Sequence, residues 1–155
     1  MNGHMRAAAM LVLASLLSGC VATTTMTAAQ DATSVAVKKS GSTTVPRTET
    51  FSTTSFGNYE FIAESPGFEP LTGILPLKFN GGYLALDILF FAPAMFFNLR
   101  EAFAFYEFDL EKRVVKYRKN EKDQWQVYVP TEAEAARGRA YFANRNGADP
   151  VRASK

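Results

Sequence analysis

The chain reads as an α+β protein: a small antiparallel β-meander, a short apolar helix or hairpin and a C-terminal helix, all following a disordered N-terminal tether. Three observations predict this class. Residues 103–129 alternate apolar and polar side chains in short bursts separated by charged turn residues, which is the period-two pattern of half-buried strands. Pro130 then stops the pattern, and Thr131-Glu132-Ala133-Glu134 has the spacing of a capping box, so a helix starts there. Residues 20–50 are rich in Thr, Ala and Ser with few large apolar side chains, too little buried surface to offset the entropy of ordering.

Taken from the start, Arg6 supplies a positive charge, Ala7 to Leu17 form an apolar stretch, and Ser18 and Gly19 precede Cys20. That order is a secretory signal peptide over residues 1–19, with initiation at Met1 or Met5. The apolar stretch is shorter than the roughly 20 residues that span a bilayer as a permanent helix. Leu17-Ser18-Gly19-Cys20 resembles the lipobox of bacterial lipoproteins, and Cys20 is the only cysteine in the chain. The resemblance implies cleavage before Cys20 and a diacylglyceryl thioether on its sulfur, usually with an N-acyl chain. Two or more acyl chains anchor a protein stably where one does not. The family's sorting rule reads the next residue; Val21 in place of aspartate implies, in a Gram-negative cell, the outer membrane facing the periplasm.

Residues 20–50 are then expected to act as a flexible tether, reaching roughly 30 Å from the lipid on average. Part of 43–56 reads alternatively as an edge strand, because threonine favours strands. The folded domain is expected over 51–146, with a disordered tail over 147–155. Its first strand is Tyr59 to Ala63, followed by a Pro66-Gly67 turn. Leu71 to Phe79 is a second extended segment, confined to a sheet edge by Pro76 and ended by Asn80-Gly81-Gly82. Phe103 to Leu110 sets Tyr106, Phe108 and Leu110 inward against Glu107 and Asp109. A turn at Glu111-Lys112 leads to Arg113–Arg118, with Val115 and Tyr117 on one face. After 119–123, a last strand places Trp125, Val127 and Val129 on one side. The helix runs from Glu132 to about Asn144, and its alanine-rich face should pack lightly.

Tyr83 to Phe97 is an almost continuous apolar run, broken by Asp87 and Pro93 and too short to cross a bilayer as a helix. It reads either as a buried helix kinked at Pro93, or as a segment that touches the membrane or another envelope protein through Phe90, Phe91, Phe96 and Phe97. Asp87 opposes deep insertion, since a carboxylate in lipid is costly. Over 59–110, the order Gly67-Phe68, Pro70, Lys78-Phe79-Asn80-Gly81-Gly82-Tyr83, the apolar stretch and Tyr106-Glu107-Phe108 resembles small PEGA-like envelope lipoproteins. That resemblance implies a β-rich, envelope-associated domain and assigns no functional residue.

Composition narrows the chemistry. His4 is the only histidine and lies in the leader, so the processed chain has neither imidazole nor a thiol free of lipid, which excludes His-dependent catalysis and His/Cys metal sites. No catalytic residue, metal or cofactor is assigned. Losing Arg6 brings 17 basic residues to 16 against 15 acidic ones, and no Lys/Arg run is present, so nucleic acid is not an expected partner. The expected partners are membrane lipid, through acylated Cys20, and an envelope protein. The expected role is structural or interactive, not enzymatic. Two other classes stay open: a module for lipid or another hydrophobic ligand lined by the same four Phe residues, and a hydrolase drawing on Glu60, Glu64, Asp87, Glu101, Glu107 or Asp109.

Overall fold

The computed structural model describes residues 21–38, 40–52, 58–79 and 100–147. Its class is α+β, mixed sheets with one C-terminal helix. Sheet A holds five strands: β1 (Val21–Ala28), β4 (Arg47–Ser52), β9 (Phe105–Asp109), β10 (Val114–Arg118) and β11 (Gln126–Tyr128), in the order β11-β10-β9-β1-β4. Sheet B holds β2 (Ser34–Val37), β3 (Thr43–Thr44), β5 (Glu60–Glu64) and β6 (Leu71–Ile74), in the order β3-β2-β5-β6. A separate pair joins β7 (Leu77–Phe79) to β8 (Arg100–Ala102). Helix α1 spans Glu132–Gly147 and lies against β5 and β6.

The expected tether is corrected by these strands. Residues 21–52 supply β1 to β4, and β1 lies in the interior of sheet A between β9 and β4. The period-two pattern is present in VATTTMTA but hidden, because threonine occupies both faces. Ala22, Thr24 and Met26 are buried, while Thr23, Thr25 and Thr27 are not. Thr24 tolerates burial because its Oγ1 donates to the Phe103 carbonyl at 2.9 Å. Two flanking strands provide the backbone partners and the core contact that a local reading cannot count. The alternative of an edge strand within 43–56 agrees with β4, which edges sheet A.

The meander is present in β9-β10-β11, all antiparallel. The sheet as a whole is mixed, however, because β1 runs parallel to β9. Leu71 to Phe79 is two strands, not one: Leu75 and Pro76 interrupt it and send β6 and β7 to different sheets. The Pro66-Gly67 turn is found, with Gly67 at φ +81°, a left-handed value suited to glycine, and the Phe68 amide donating to the Ser65 carbonyl at 3.2 Å. The capping box also forms. Thr131 N donates to Glu134 Oε2 at 2.8 Å and Glu134 N donates to Thr131 Oγ1 at 3.3 Å.

Val127 and Val129 do share one face, and it is the outward one. Val127 and Val129 are 61% and 62% exposed, and Tyr128 packs against the core. Register is the reason: Tyr128 pairs with buried Val115 and Val127 with Lys116, so the odd-numbered side chains of β11 point away from the core. Trp125 lies under the Arg118 guanidinium, 4.3 Å from its ring centroid.

The sheets face one another across a shared core of Met26, Val35, Val37, Phe61, Tyr106 and Phe108, among others. Phe61 of sheet B and Phe108 of sheet A meet with ring centroids 5.2 Å apart. On the other side of sheet B, α1 approaches the strands at Gly138, where an added Cβ would lie 3.0 Å from Gly73 N and 3.2 Å from Gly73 O. Ala135 and Phe142 complete the buried helix face, and Thr72 Oγ1 donates to the Ala135 carbonyl at 3.1 Å. The expected light packing is therefore close backbone approach through small residues.

Candidate functional site

Cys20 lies outside the described residues, directly before the first residue of β1. So does the stretch 80–99, with Asp87, Phe90, Phe91, Phe96 and Phe97. The chain on either side of that stretch is fixed. Phe79 pairs with Arg100, Lys78 with Glu101 and Leu77 with Ala102 in an antiparallel stem. A Lys78–Glu101 ion pair at 3.1 Å closes the rung.

The stem sits beside the start of β1. Thr25 N donates to the Ala104 carbonyl at 2.8 Å, and Thr24 Oγ1 to that of Phe103. In the parallel ladder Thr25 is level with Phe105 and Met26 with Tyr106. Strand β8 also packs against β1 and β4. The first strand and the stem that flanks the apolar stretch are thus neighbours.

Tyr106 holds this stem together. Its hydroxyl donates to the Pro76 carbonyl at 2.6 Å and accepts from Phe103 N at 3.0 Å, tying the chain before β7 to the chain after β8. Burial pushes that phenol well above its ordinary range, and the hydrogen bond with the Phe103 backbone only partly opposes this, so it stays a neutral donor. Alternation placed Tyr106 inward; its second role as a clasp had no sequence signal, because both partners are backbone atoms distant in the chain.

Of the candidate carboxylates, Glu60, Glu101, Glu107 and Asp109 are engaged by cations. Glu60 is 2% exposed, with Oε1 accepting from Arg137 Nε at 2.8 Å and Oε2 3.0 Å from Lys38 Nζ. Asp109 is not on a solvated face as expected. It is buried at the end of β9, where it accepts from Gln30 Nε2 at 3.2 Å and Lys112 N at 3.0 Å. Glu107 accepts from Lys116 at 2.6 Å, and Glu64 is exposed. Burial raises the affinity of Glu60 and Asp109 for a proton, yet hydrogen bonds and neighbouring cations outweigh it, and both lie below their ordinary values. A general acid needs the opposite shift. Among the described residues, no group of three or more His, Cys, Asp or Glu side chains could hold a metal, and no helix is long and apolar enough to cross a membrane.

The Glu60 arrangement gives a pH prediction. Its folded value lies below the ordinary 4.5, so the carboxylate contributes stability above that pH, and the contribution is lost as pH falls through the depressed folded value. Glu60→Gln should lower stability at neutral pH and flatten the acid limb below pH 4.5. Urea midpoints measured from pH 3 to 7 check this; an unchanged acid limb in the variant would count against it.

The fold also gathers cations that no sequence run announced. Lys38 stacks over the Tyr141 ring at 5.3 Å, Arg137 holds Glu60, and Arg145 Nη1 donates to the Ser40 carbonyl at 2.9 Å. Helix α1 brings residues about a hundred positions apart into one patch.

No family model, no curated protein and no solved structure matches this chain.

Proposed function

We propose that the protein is a non-enzymatic envelope lipoprotein, anchored by acyl chains on Cys20, that uses the Phe-rich stretch at 83–97 to contact a protein partner at the membrane surface. The observation that supports this reading is that β1, whose first residue follows Cys20 in sequence, lies beside the β7–β8 stem that flanks the stretch. A lipid on Cys20 would hold the start of β1 at the leaflet, since the fold begins one residue later and leaves no tether between them. An apolar segment presented there, from a stem fixed by the Lys78–Glu101 pair and the Tyr106 clasp, is suited to an interface next to lipid. The paired, low-pKa carboxylates support a binding role over acid catalysis.

Mass spectrometry of the protein from its native envelope should find an N-terminal cysteine carrying diacylglycerol. Cys20→Ser should abolish acylation and leave the leader attached. An unmodified Cys20 thiol in the native protein would overturn the anchor. For the partner, in-envelope cross-linking should trap a defined complex that disappears when Phe90, Phe91, Phe96 and Phe97 are changed to Ser while far-UV circular dichroism is unchanged. Persistence of the complex in that variant would reject the Phe-rich contact.

A further inference from the structure

We propose that Lys38, Arg137 and Arg145 form a docking surface for anionic lipid headgroups, an inference that rests on the membrane-anchored reading. Two cations, Lys38 and Arg137, pair with one carboxylate, and Arg145 extends the cluster by donating to the Ser40 carbonyl, two residues from Lys38. Glu60 is buried beneath them, so the face shown to solvent is positive. Arg137 engages Glu60 through Nε while 52% of its side chain stays exposed, and Lys38 keeps 27%. Arg145 is exposed at the last turn of α1. The helix's own acids, Glu132 and Glu134, lie in its first turn, where Glu132 pairs with Arg139 and Glu134 with Thr131. Nothing acidic on α1 therefore faces the patch.

Position argues for lipid as the occupant. Val21, next to the anchor, pairs with Ser52. The preceding residue, Phe51, meets the Tyr59 ring at 5.0 Å, and Tyr59 is followed by Glu60, whose carbonyl accepts from Lys38 N at 2.8 Å. This short series of contacts links the patch to the strand end that carries Val21. Guanidinium and ammonium groups held near a leaflet are attracted to anionic headgroups, and an arginine can bond a phosphate through two N–H groups.

A single fluorophore tests this in the full lipidated chain. With the Cys20 sulfur consumed by lipid, Asn144→Cys supplies the one free thiol, at an exposed helix position beside Arg145. Labelled with an environment-sensitive dye and reconstituted into vesicles, the protein should show blue-shifted emission in phosphatidylcholine with 30% phosphatidylglycerol relative to phosphatidylcholine alone. The shift should vanish in 1 M NaCl, where charges are screened within roughly 3 Å. Arg145→Gln strips no partner from Glu60 and should lower the docked-to-undocked ratio about fivefold. Lys38→Gln with Arg137→Gln, checked for folding by circular dichroism, should remove the rest. Co-flotation with both vesicle types but identical emission would overturn the lipid contact and leave the anchor standing. Failure to float with either type would instead reject the anchored reading and the contact with it. Emission that responds only to soluble peptidoglycan fragments would also overturn the proposal.

Discussion

Phe108→Ala should cost about 3–5 kcal/mol of folding stability, the range for removing a buried phenylalanine from a core that cannot collapse around the gap. Phe108 is fully buried, and its ring meets Phe61 across the space between the two sheets. The cavity would open where sheet A and sheet B are joined, so both would feel it. A domain of this size has about 5–15 kcal/mol in total, and the variant should sit close to unfolding. Urea denaturation of both proteins at neutral pH measures the difference. Val127→Ser provides the contrast: that side chain is 61% exposed, and its replacement should stay within about 0.5 kcal/mol. A loss below ~1 kcal/mol at Phe108 would mean that the sheets do not share the core described.

Gly138→Ala has an expected sign opposite to the one helix propensity gives. In an open helix the change would stabilise by about 1 kcal/mol. Here the new methyl would lie 3.0 Å from Gly73 N, 3.2 Å from Gly73 O and 3.3 Å from Phe61 O, all backbone atoms of paired strands that cannot rotate aside. The helix must lift from sheet B, stretching the contacts of Ala135 and Phe142, and the net effect should be a loss of about 1–3 kcal/mol. Gly138→Val should lose more. Gly41→Ala, with nothing within 4 Å of the added carbon, is the matched control and should change little. Thermal melts of the three variants decide it; a Gly138→Ala protein that melts above the parent would show that α1 has room to move.

Some of this architecture was legible from local chemistry. The capping box needs only two side chains three residues apart, the Pro66-Gly67 turn only one left-handed glycine, and the meander of β9 to β11 only neighbours joined by short turns. Each depends on interactions within a few positions, and each formed. The long Thr-rich strand β1 escaped for the complementary reason. Its period of two is carried by Ala22, Thr24 and Met26, two of them small, and it is held by β9, some eighty residues away. Asp109 was placed outward because alternation ignores what covers a strand end, where Gln30 arrives from the turn after β1. Whether the face of Val127 turns inward or outward has no local signal, because a one-residue change of register inverts every side chain.

The proposed site divides in the same way. The sequence by itself determined the covalent features: an apolar segment after Arg6, a single cysteine at position 20, a single histidine at position 4, and an apolar stretch over 83–97 preceded by two glycines. These are properties of composition and order, and no fold can alter them. Only the tertiary structure decided that β1 lies beside the β7–β8 stem, and that Lys38 and Arg137, about a hundred positions apart, pair with one buried carboxylate. Proximity between distant segments depends on register and on the direction in which strands pair. Those are settled by the joint burial of the two sheets, a sum over the whole chain that no local window contains.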